Sequence, residues 1–240
     1  MAKPYAQTTD ERMMRRCFAL AKKSAEQGEY PYAAVIGRNG KIVAETTNKV
    51  AHDHDVTHHA EVVAICQAQK TLGSIDLADC TIYANVEPCA FCSYAIRESR
   101  IAKVVYSTRS PIMGGASRWN ILGDHKLSKA MPEVFAPPPI LLAEFLSEEG
   151  DATLRRISPL AWAFMRARGL LVTPSPHHAG GDHAHTGATA SAHELGGTAE
   201  WIMRALRKNL FDRFGRGSAA RGKWRPRAGK KAKPSPSRQR

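Results

Sequence analysis

The chain has 240 residues, 43% of them hydrophobic, five cysteines and a net charge of +13. Its length and apolar fraction suit one globular domain of ordinary size with segments to spare. No run approaches the ~20 apolar residues of a membrane span, and Met1–Arg16 lacks the apolar stretch of an export signal, so a cytoplasmic protein is expected. The charge is unevenly spread: residues 1–172 hold 21 Lys/Arg against 18 Asp/Glu, whereas residues 173–240 hold 14 against 4. Basicity therefore says little about what the main body binds and more about what the last segment touches.

In chain order, Thr9 to Gly28 predicts a helix, with a polar cap at Thr9 or Asp10, apolar positions from Met13 to Ala21 at helical spacing, and Gly28 as the stop. Tyr32 to Ile36 and Lys41 to Thr47 are short β-rich runs around Asn39-Gly40, which predicts a hairpin. A polar loop carrying Asn48 leads to a helix from about Thr57 to Leu72, ended by Gly73. Cys80 to Asn85 is a strand, Cys89 to Ser99 a helix and Ile101 to Ser107 a strand, so the two strands are expected parallel with a right-handed crossover. Ile140 to Leu146 suggests a fifth strand, and Ser147 to Arg168 a final helix broken near Pro159. The expected fold is α/β: a three-layer α/β/α domain with a mixed central sheet over residues 1–172.

Beyond it the character changes. Pro174 to Gly197 is rich in Gly, Ala, Ser, Thr and His without apolar period and reads as a disordered linker. Its five histidines read as spacer, because a flexible tract lacks fixed metal geometry. Trp201 to Phe214 has helical apolar spacing with Arg and Lys between, which predicts a short basic amphipathic helix. Arg216 to Arg240 reads as a disordered basic tail, an arm able to meet RNA phosphates.

The chemistry is concentrated in Val86-Glu87-Pro88-Cys89-Ala90-Phe91-Cys92 and, thirty positions earlier, His59-Ala60-Glu61. Two cysteines three apart at a helix start place both sulfurs at its first turn, where free N–H groups and the dipole favour thiolate. Cys89, Cys92 and His59 are three zinc ligands; the fourth tetrahedral position left open separates a catalytic zinc from a structural one. Glu61 is then the spare carboxylate. His59 and Glu61, two apart, would point to opposite sides in mid-helix, so both serve one centre only from a helix N-terminus. Cys17, Cys66 and Cys80 form an odd remainder, which argues against a disulfide framework. Cys66 is expected in the core, His58 at an exposed helix start, and His52 and His54 in solvent.

These motifs resemble the zinc-dependent cytidine/deoxycytidylate deaminase fold family, in its single-domain branch of guanine deaminases, cytosine deaminases and tRNA adenosine deaminases. The resemblance runs from about Thr9 to Leu146 and takes in Pro31 to Ile36 and Asn48. It implies Zn2+ on His59, Cys89 and Cys92, Glu61 as the catalytic proton carrier, and Asn48 with the Ala60 backbone as the groups that hold the base. It implies a homodimer, and hydrolytic release of ammonia from an amino-substituted nucleobase or nucleoside, with a purine such as guanine or adenine favoured. Ala33 in place of Gly, and Ala90-Phe91 between the cysteines, depart from the branch's pattern near the base pocket. Inosine formation in tRNA is the near alternative, supported by Ser99-Arg100-Ile101, Val104-Val105 and the basic tail. A non-catalytic RNA-binding module with structural zinc and a redox dithiol are the alternatives of other classes. Arg109 to Asp124 reads equally as a substrate lid and as a surface loop.

Overall fold

The computed structural model describes residues 7–172. The linker, the Trp201–Phe214 helix and the basic tail expected from the sequence lie outside the described residues.

Helix α1 (Thr9–Glu26) starts with a reciprocal cap: the Thr8 hydroxyl accepts from the Glu11 N–H, and the Glu11 carboxylate accepts from the Thr8 N–H. The cap is therefore Thr8, one residue before the expected position. Strands β1 (Ala33–Arg38) and β2 (Lys41–Thr47) form the expected hairpin, with Asn39 at φ 50° and Gly40 at φ 72° making the left-handed turn that matches strand twist. A short helix α2 (Val50–Asp53) interrupts the polar loop before α3 (Ala60–Leu72). Then come β3 (Thr81–Val86), α4 (Ala90–Glu98), β4 (Lys103–Thr108), α5 (His125–Ala130) and β5 (Ile140–Leu142). Helices α6 (Ser147–Ile157) and α7 (Pro159–Ala167) are divided at Ser158 and Pro159, where the proline cannot continue the preceding helix.

The five strands lie in the order β2-β1-β3-β4-β5, with β3, β4 and β5 parallel and β1 antiparallel to both neighbours. The sheet is mixed, and β3-α4-β4 is the expected parallel pair. Alternate residues feed two cores. Ala34, Ile36, Ile82, Ala84, Val104 and Tyr106 pack with Ala64, Ile65 and Ala68 of α3 and Ile96 of α4. Val35, Tyr83 and Val105 pack against Met13, Met14 and Phe18 of α1, with Ile157 of α6 on the same side. Apolar residues on both faces of the strands require cover on both, and the result is the three-layer arrangement. Asp10 ties the first helix to the sheet, accepting from Lys103 Nζ at 2.6 Å and from the Tyr83 hydroxyl at 2.7 Å.

Candidate metal centre and active site

Two helix starts meet at the carboxyl ends of the parallel strands. His59 is the N-cap of α3 and Cys89 the N-cap of α4, both with extended backbone and neither spending its side chain on a capping bond. Cys92 follows in the first turn of α4. His59 Nδ1 lies 3.5 Å from Cys89 Sγ and 3.4 Å from Cys92 Sγ. Zinc bonds of ~2.0–2.1 Å to nitrogen and ~2.3 Å to sulfur define tetrahedral N-to-S edges of roughly 3.5 Å, so the spacing fits that ion. Phe91 stands edge-on to His59, with ring centroids 5.8 Å apart, and packs the imidazole from outside.

The electrostatics point to a cation. Hydrogen bonding by Cys92, and then by His59, pulls the Cys89 thiol down to about 4, while the hydrogen bond with Cys89 and then burial push Cys92 up. A buried thiolate beside a second sulfur holds its partner protonated, and a divalent ion is what lets both ionise. His59 is raised, first by its hydrogen bond with Cys89. Glu61, one residue inside α3, is 9% exposed; burial, and then the Cys89 charge, push its carboxyl up to about 7. Because His59 sits outside the helix proper, the two-residue spacing no longer separates it from Glu61.

His59, Glu61 and Cys89 line one cavity of about 510 Å³ together with Asn48. That volume falls in the range of small-molecule sites. Helix α7 lines it with Leu160, Phe164 and Met165, and Tyr30 and Tyr32 line it as well. Asn48 is 4% exposed and donates from Nδ2 to Glu29 Oε1 at 2.9 Å. Ala60 is not among the cavity-lining residues: its side chain is in the core and its carbonyl accepts from the Thr46 hydroxyl at 2.6 Å. Its N–H, in the first turn of α3, lies outside the helical ladder.

Two buried carboxylates escaped sequence reasoning. Glu29, 5% exposed, accepts from Asn48 and from the N–H groups of Ala51 and His52, and so fixes the Asn48 amide. Glu87, 3% exposed, accepts from the loop at Ser110–Ser117. Apart from the Tyr30 N–H next to Glu29, their partners lie 19 to 30 residues away, beyond the reach of any local pattern. The Arg109–Asp124 segment proves a tethered wall: Leu122 is fully buried and Arg97 donates to the carbonyls of Ile121, Leu122 and Asp124. Cys66, expected in the core, is exposed; α3 turns that side outward. His58 is tied to Asp53 at 2.7 Å, and His52 stands in solvent as expected.

A mixed sheet brings an imidazole and two sulfurs together at facing helix starts, a candidate metal centre whose donor set suits zinc. Residues 7–108 match the cytidine and deoxycytidylate deaminase zinc-binding region. The chain is 37% identical over 132 residues to the tRNA-specific adenosine deaminase of Aquifex aeolicus, covering 53% of this chain and 87% of that protein. It is 37% identical over 136 residues to the chloroplastic tRNA(adenine(34)) deaminase of Arabidopsis thaliana, of which it spans only 10%. A solved tRNA:A34 deaminase, studied for A-to-I editing at the wobble position, superposes with a TM-score of 0.54 at 26% identity, over 60% of this chain and 99% of that one. The chain belongs to the cytidine and deoxycytidylate deaminase family, and zinc is its cofactor. No helix among the described residues is long and apolar enough to cross a membrane.

Proposed function

We propose that the chain is a hydrolytic deaminase of an amino-substituted nucleobase or nucleoside, with an aminopurine such as guanine or adenine as the favoured base. Water replaces the exocyclic amine, the ring gains a carbonyl and ammonia leaves. The observation that carries this reading is Glu61: a buried carboxyl on the cavity floor, two residues from His59 and beside both cysteines.

His59, Cys89 and Cys92 would hold zinc, which when bound is a Lewis acid that lowers the pKa of water from ~16 toward ~7. Glu61 would take one proton from the attacking water and pass it to the ring nitrogen, then carry the remaining proton of the new hydroxyl to the departing amine, so that the carbonyl forms as ammonia leaves. A carboxyl poised near neutrality both accepts and gives protons. Asn48, its amide held by Glu29, offers the base a paired donor and acceptor, and the Ala60 N–H is a further donor. Wall residues Phe164 and Met165 would shield the face of the ring from solvent.

Adenosine in a tRNA stem-loop is the second reading. It is favoured by the relatives above and by the 14 Lys/Arg against 4 Asp/Glu of residues 173–240. An ammonia-release screen over free bases, nucleosides, nucleotides and a tRNA anticodon stem-loop separates the two. Turnover of free guanine or adenine supports the first. Inosine in the stem-loop alone, with RNA binding that weakens on deleting 173–240 and on adding salt, supports the second. Silence across all substrates removes both.

The proposal extends to a homodimer, supported by the exposed apolar side chains Phe91, Tyr94 and Trp119 around the metal-bearing helix. Sedimentation at micromolar concentration should give twice the 26.3 kDa chain mass; a monomer throughout refutes this part.

A further inference from the structure

Glu87 stands on the turn from β3 into α4, two residues before Cys89. It lines the cavity, yet no Lys or Arg among the described residues pairs with it. Its partners come from one loop. Oε1 accepts from the N–H groups of Ala116 at 3.1 Å and Ser117 at 2.6 Å; Oε2 accepts from the Ser110 N–H at 2.8 Å and the Ser117 hydroxyl at 2.6 Å. A carboxylate has about four acceptor positions, so none is left for a substrate. Three backbone N–H groups, two on Oε1 and one on Oε2, thus gather on the one carboxylate, a concentration of donors that favours an anion, and this chain supplies its own.

The same loop is bound to the metal-bearing turn. Gly114 bridges to Cys89, the Ala90 N–H donates to the Met113 carbonyl at 3.2 Å, and the Gly115 N–H donates to the Pro88 carbonyl at 2.8 Å. The approach is close enough to demand glycine: a Cβ on Gly114 would collide with the Glu87 carboxylate, and one on Gly115 with Ser93. Ser110 and Met113 of this loop line the cavity.

We propose that Glu87 is a positioning residue. It pins the Ser110–Ser117 wall against the turn that carries Cys89, and thereby sets the distance between the cavity wall and the metal centre at which a base must seat. The inference rests on the nucleobase reading only for what occupies the cavity. Glu87→Gln turns an amide donor toward at least one N–H donor and removes the charge that gathers these donors. Gly114→Ala disturbs the same contact from the other side.

The test combines amide hydrogen exchange with steady-state kinetics on whichever base or nucleoside the screen shows to turn over. In Glu87→Gln, exchange at Ser110, Ala116 and Ser117 should accelerate about tenfold or more, because those amides lose their shared acceptor. KM should rise about tenfold, by more than kcat falls, with zinc content unchanged. Gly114→Ala should reproduce the pattern, and the double variant should be no worse than the poorer single one, as expected when both act through one contact. Ser117→Ala, which removes one of the four bonds, carries the same test in milder form if Glu87→Gln does not fold. Unchanged exchange at the three amides overturns the proposal. So does a loss of zinc in step with kcat, or a lowered melting temperature with KM and kcat intact. If the parent releases no ammonia from any substrate, the deaminase reading fails on its own account, and the exchange arm still decides whether Glu87 holds the loop.

Discussion

His59 is the residue on which the reading turned. A spacing of two from Glu61 forbids a shared centre on a regular helix, and the structure meets the difficulty by leaving His59 outside α3 as its cap, at ψ 147°. The candidate metal cluster was legible because Cys-x-x-Cys and His-x-Glu are local patterns of donor chemistry. Glu29 and Glu87 were not, since an isolated acid in a sequence carries no sign of the distant N–H groups it will collect. Cys66 shows a related limit: helical period says which residues share a face, but not which face the rest of the chain will cover. Asp10 supports a prediction at this scale. Burial opposes its charge, but hydrogen bonds from Lys103 and Tyr83 prevail and hold the carboxyl below its usual value. A depressed acid adds stability above its unfolded pKa of ~3.9, and that stability drains as pH falls through the lower folded value. Asp10→Asn should therefore cost about 1 kcal/mol at pH 7 in denaturant melts, with the two proteins converging at acid pH. Equal stability of both at pH 7 would show that the bridge contributes nothing.

Among the elements, those with a strong period or a sharp stop were legible: α1, the Asn-Gly hairpin, α3 ending at Gly73, and the break at Pro159. The fifth strand was less so. Of the apolar run Ile140 to Leu146, only Ile140–Leu142 pairs, because Glu144 and Leu146 adopt positive φ and turn the chain into α6. The Arg109–Asp124 segment had no period at all, and its order comes from Arg97 and Glu87, two side chains supplied by other parts of the chain. Arg97 lies 2% exposed among five oxygen acceptors. That is why a segment without regular structure can still serve as a cavity wall. Helix α7 gave no sign in sequence of its place at the cavity; contacts between residue 165 and residue 32, such as the Tyr32 hydroxyl to Met165 sulfur bond at 3.0 Å, are purely tertiary.

At the scale of the molecule, the positive charge and the site belong to different stretches of chain. Residues 1–172 carry the sheet, the cavity and the candidate metal ligands with little net charge, and residues 173–240 carry most of the excess. The parallel strands β3 and β4 aim their carboxyl ends at one crevice, where α/β sheets place ligands, and two helix starts bring the donors there. The central claim is that this assembled centre keeps metal binding and proton transfer on different residues. It is tested most directly by measuring zinc content and ammonia release side by side in the parent and in Glu61→Gln. The account predicts one zinc per chain in both proteins, with release in the variant lower by about 10²–10⁴-fold or more. Zinc retained together with undiminished release would contradict it.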